Sequence, residues 1–100
     1  MSNPQFYEST SDKYGHTVTV MTRVDPLDLA VTKVIRKLMS AREMTNEDLS
    51  AQTGIHLRTV IRIRKGERAA TVGELRALAK ALGTTASALA MEAEAIVEDD

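Results

Sequence analysis

Residues 45–66, TNEDLSAQTGIHLRTVIRIRKG, hold two short helical patterns with a glycine between them. Thr45 is a candidate N-cap, and Asp48 three residues on fills the acidic place of a capping box, where Glu or Gln is the commoner choice. The span 46–53 offers Leu49 to a core, with Ser50 and Thr53 beside it. Gly54 then ends the helix, supplying a left-handed backbone without a Cβ penalty. The second pattern covers about 57–65. Val60 and Ile63 face inward, Ile55 anchors the turn, and Gly66 closes the helix. Arg58, Ile61, Arg62 and Lys65 fall mostly on the other face. The link Gly54-Ile55-His56 is short enough to set the two axes at a steep angle. The outer face of the second helix then stands as a ridge, with Arg58 and Arg62 one turn apart. An α-helix fits the major groove of B-form DNA, and Arg reads guanine O6 and N7 with two hydrogen bonds.

Three further helices frame this unit. The first starts at an Asp25 N-cap with Pro26 at N1 and Asp28 at N3. Val24 and Leu29 are spaced for a hydrophobic staple. Leu27, Val31, Val34, Ile35 and Leu38 make its apolar face, and it should run from 26 to about 41. The fourth helix opens with a Thr71–Glu74 capping box and offers Val72, Leu75, Leu78, Ala79 and Leu82 for burial. The fifth starts after Thr85 with Leu89 as anchor and reaches Ile96, its acidic end fraying near 95. The expectation is an all-α, compact five-helix domain over 25–96, an N-terminal arm over 1–24 and an acidic tail over 97–100. Within the arm, residues 17–24, TVTVMTRV, alternate like a β-strand, while 1–16 are polar and aperiodic and read as mobile. No second such segment offers the strand an in-chain partner. It therefore pairs with its copy in a second subunit, pairs with another protein, or stays unstructured.

Composition narrows the function. The chain has 100 residues, one domain's worth. With no Cys there is no disulfide, thiol nucleophile or cysteine zinc site, and His16 and His56 lie too far apart for a two-His metal motif. The carboxylate pairs sit at helix starts, where capping explains them, and no Gly-rich phosphate loop is present. An enzyme, a cofactor, a metal site and a small-molecule substrate are not expected. Neither is a membrane span, and the cytoplasm is the default location. The net charge of −1 hides a strong pattern. Residues 36–80 carry ten basic against five acidic groups, while residues 92–100 carry five acidic and no basic ones. A basic patch between acidic ends suits a phosphate backbone without coating nucleic acid indiscriminately.

The ordered set Thr45 to Ser50, Gly54-Ile55, Thr59-Val60, Arg62-Ile63 and Gly66, followed by Leu78 to Gly83 and Leu89, resembles the helix-turn-helix domains of phage repressors, Cro proteins and xenobiotic-response-element regulators. The resemblance covers roughly residues 35–90 and implies a DNA-binding domain of the phage repressor type. It places His56, Leu57, Arg58, Ile61 and Arg62 at base-facing or backbone-facing positions. Asn46 falls where the family often has a Gln that touches phosphate, and Arg68 follows the second helix at a plausible phosphate position. Arg64 and Lys65 suit phosphate contacts or plain surface. Two departures are Arg64, where an acidic residue is common, and the apolar Ile61, which suits a thymine methyl or a protein.

These residues imply a regulator of transcription that binds double-stranded DNA as a homodimer on a palindromic operator, most simply as a repressor. Two interfaces are open: a ribbon using Val18 and Val20, or the fifth helix using Leu89, Met91 and Ile96. The alternative is a protein-interaction module, an antitoxin or a polymerase-contacting regulator, that uses Ile61 and the apolar strand to hold a second protein.

Overall fold

The computed structural model describes residues 24–99 and two short strands, β1 (Thr10–Ser11) and β2 (Thr17–Val18). Five helices follow: α1 (Pro26–Arg42), α2 (Asn46–Thr53), α3 (Leu57–Arg64), α4 (Val72–Ala81) and α5 (Ala86–Asp99). The fold is all-α.

The caps are where the side chains place them. The Asp25 carboxylate accepts from the Leu27 N–H at 2.8 Å, and the Asp28 carboxylate accepts from the Asp25 N–H at 3.0 Å. Reciprocal boxes close over Thr45 with Asp48 and over Thr71 with Glu74. The Thr85 hydroxyl accepts from the Ala88 N–H and starts α5. Each box satisfies N–H groups that a helix start leaves without partners.

One core joins all five helices. Ala30, Val34, Ile35 and Met39 of α1 meet Leu49, Val60, Ile63, Leu78, Ala79, Leu82, Leu89 and Ala93. The inward faces of α2 and α3 are thus the expected ones: Leu49, Val60 and Ile63 are buried, and Ile55 is half-buried against them. On α1, Val34 and Ile35 are buried and Leu27, Val31 and Leu38 pack at the margin.

Four expectations need correcting. Val72 is 83% exposed and does not join the core. It opens α4 beside its cap, before the helix meets its neighbours. Leu89 offers no surface to a second subunit, because it is wholly buried inside the chain. α5 does not fray near 95 but runs to Asp99, through positions assigned to the tail. Ile96 and Val97 pack on the core and line a cleft of about 190 Å³ with Pro26, Leu29, Ala30 and Lys33 of α1. Apolar burial there outweighs the unfavourable dipole of an acidic helix end. Finally, β2 has an in-chain partner. It pairs antiparallel with β1, Thr10 opposite Val18 and Ser11 opposite Thr17, so part of the aperiodic arm is a strand. A ladder of two residues is too short to leave an alternating pattern. Residues 19–23, including Val20, lie outside the described residues. No helix among the described residues is long and apolar enough to cross a membrane.

Candidate nucleic-acid interface

The turn between α2 and α3 is held by side chains that backbone periodicity does not reveal. Gly54 adopts φ +78°, a left-handed conformation that suits glycine, and its N–H donates to the Ser50 carbonyl at 2.9 Å. The Thr53 hydroxyl donates to the Leu49 carbonyl at 2.6 Å and accepts from the Ile55 N–H at 3.1 Å. The Ser50 hydroxyl donates to the Ile55 carbonyl at 2.6 Å. Ser50 and Thr53 therefore clamp the turn. The signal available in sequence was two small hydroxyl residues just before a helix-ending glycine.

His56 caps α3. Its Nδ1 accepts from the Arg58 N–H at 3.1 Å, which leaves Nε2 as the remaining polar atom of an exposed ring. Beyond the cap, α3 has two distinct sides. Val60 and Ile63 are buried, while Arg58, Arg62 and Lys65 are exposed. At about 100° per residue, those three cations fall within roughly 60° of one another. Leu57 and Ile61 are half-buried beside that ridge. Arg64 is half-buried and lies on the flank, away from the other cations around the helix. No acidic residue occurs between Leu57 and Lys65. The geometry is a cationic ridge on a short helix whose opposite side is fixed in the core.

Asn46, the first residue of α2, is half-buried, and its Oδ1 has no hydrogen-bond partner. Asp48, in the same turn, is held below the usual carboxylate range by the Thr45 backbone N–H and, second, by the Thr45 hydroxyl.

Arg68 has an intrachain partner. Its guanidinium binds Glu74 through both terminal nitrogens, at 2.7 and 3.1 Å, and also donates to the Ala69 carbonyl. The pair holds Arg68 beside the start of α4. The Arg68 hydrogen bonds hold the Glu74 carboxyl below its ordinary range, and the Thr71 N–H adds to the effect. Glu74 thus caps α4 and ties the α3–α4 loop to it. Sequence spacing did not show this, because the partners lie six apart across a loop.

The family model of the Cro/C1-type helix-turn-helix DNA-binding domain matches residues 34–89. The chain belongs to this family. Searches of curated proteins and of solved structures returned no match. The Cro/C1-type match runs from within α1 to Leu89 and contains the whole α2–turn–α3 unit. It makes the chain a DNA-binding protein and agrees with the resemblance read from Thr45 to Gly66. The Cro/C1-type span stops short of the outer part of α5 and does not reach β1 or β2. Among the described residues no group of three His, Asp or Glu side chains is placed to hold a metal ion.

Proposed function

We propose that the chain is a cytoplasmic, sequence-specific regulator of transcription that binds double-stranded DNA as a homodimer and represses from a palindromic operator. The observation that carries this is the two-sided character of α3. Arg58, Arg62 and Lys65 share an exposed side while Val60 and Ile63 lock the other into the core. Such a helix enters the major groove with its side chains fixed in rotation.

Arg58 and Arg62 are assigned to base edges, each suited to guanine. His56, Leu57 and Ile61 flank them, with Ile61 suited to a thymine methyl. Asn46, Arg64 and Lys65 are assigned to phosphates, which position the protein without naming a base. A single module covers few base pairs, so a two-fold dimer is invoked to read two half-sites. The exposed Met91 and half-buried Ile96 of α5 are the candidate contacts.

The test is selection of bound duplexes from a random library at about 0.15 M salt. Enrichment of a palindrome with half-site centres about one turn, ~34–36 Å, apart supports the proposal. A lone half-site overturns the dimer. No enrichment by folded protein overturns sequence-specific reading. Ile61, apolar and beside the ridge, favours a second reading in which the face holds a protein. Partner capture lost in Ile61→Asp, with no DNA affinity in either chain, would establish that reading instead.

A further inference from the structure

Thr32 is the one buried polar residue among the described residues, 4% exposed in α1. Its hydroxyl donates to the Ile63 carbonyl oxygen of α3 at 2.9 Å. That oxygen already accepts from the Gly66 N–H at 3.0 Å, so the Thr32 bond is not needed to satisfy it. The consequence is positional. Ile63 directly follows Arg62, and the bond ties α1 to the end of α3 that carries this side chain. Leu29 closes on the same end. Its Cδ2 lies 3.0 Å from where a Cβ on Gly66 would sit, and Gly66 itself has φ +76°. A Cβ there would crowd the Leu29 methyl, and any L side chain at that φ would be strained. Val60 and Ile63 fix which side of α3 faces the core, while the non-directional nature of apolar contact leaves its fine rotation and depth to be set. A hydrogen bond to a named carbonyl is directional and constrains them strongly.

The structure assigns Thr32 as a positioning residue for base recognition: its hydroxyl sets the rotation and depth of α3, so that Arg58 and Arg62 meet the groove in one orientation. This rests on the DNA-reading function proposed above. Bidentate readout needs side chains held to within about 0.5 Å, whereas a flexible phosphate contact tolerates a shift. Loss of the bond therefore falls on discrimination rather than on general affinity.

Thr32→Val keeps the shape and removes the donor. Wild type, Thr32→Val and Thr32→Ser are compared for affinity to the operator recovered by selection and to a shuffled duplex of equal length, at one salt concentration. In Thr32→Val the ratio of the two affinities falls roughly three- to tenfold, the worth of one hydrogen bond, with shuffled-duplex affinity unchanged. Thr32→Ser restores the ratio. A melting point lowered in Thr32→Val with the ratio intact shows a merely structural hydroxyl and overturns the assignment alone. If Thr32→Val does not fold, Thr32→Ser and Thr32→Ala are compared, and equal ratios overturn it. A wild type that prefers no sequence overturns the DNA-reading function and this assignment with it.

Discussion

At the scale of single residues, the Arg68–Glu74 pair makes a prediction with a definite sign in pH. Glu74 titrates below its ordinary range in the folded chain because Arg68 binds its charged form. The stabilisation is therefore complete above the ordinary carboxylate pKa and is lost as pH falls through the lower folded value. Glu74→Gln keeps one oxygen for the reciprocal cap and removes the charge together with the second acceptor of the Arg68 pair. It should cost about 0.5–1 kcal/mol near neutrality, and the variant and wild type should converge in acid. Denaturant unfolding at several pH values checks this, and a gap that widens in acid would contradict it. Glu43 makes a second prediction, since it ends α1 at φ +54°. Glu43→Gly should raise stability by about 0.5–1 kcal/mol, read from the denaturation midpoint. A lower midpoint would contradict it. Residue identity alone showed neither Arg68's partner nor Thr32's, because one spans a loop and the other spans thirty-one positions of chain. His56 directly precedes the helical run at 57, the position at which it caps α3.

At the scale of elements, local chemistry carried most of the architecture. Asp25, Thr45 and Thr71 mark the starts of α1, α2 and α4, each with its acidic partner three residues on. The bounds of α2 follow from Thr45 and Gly54. What local rules missed is tertiary. The dipole argument ends α5 near 95, but Ile96 and Val97 pack against α1 and carry the helix to Asp99. The pattern that turns Leu75, Leu78 and Leu82 toward the core also points to Val72, which α4 leaves outside. Leu89 decides between a core and an interface role. Leu89→Ala should cost about 2–5 kcal/mol, as for other buried leucines. The loss should not vary with protein concentration, because the side chain is buried within one chain. A concentration-dependent loss would return Leu89 to a subunit interface.

At the scale of the whole molecule, charge is distributed by function. The basic middle of the chain contains α3, and the acidic residues at 92–100 lie on and after α5. DNA affinity should fall steeply with salt, and Lys65→Ala should lower the slope of log affinity against log salt by about one while weakening all duplexes alike. A sequence-selective loss would contradict a phosphate role for Lys65. The family and the recognition unit were legible from Thr45 to Gly66 because glycine, caps and apolar spacing there all agree. The candidate dimer contacts were less so, since a surface residue such as Met91 leaves no periodic trace of a partner. The central claim is that the exposed side of α3 reads bases. It is tested most directly by repeating the duplex selection with Arg58→Ala beside the wild type. The predicted result is a motif that loses its guanine preference at one position in each half-site, with a cost of about 1–3 kcal/mol on the wild-type operator. Identical motifs from the two chains, at equal affinity, would contradict it.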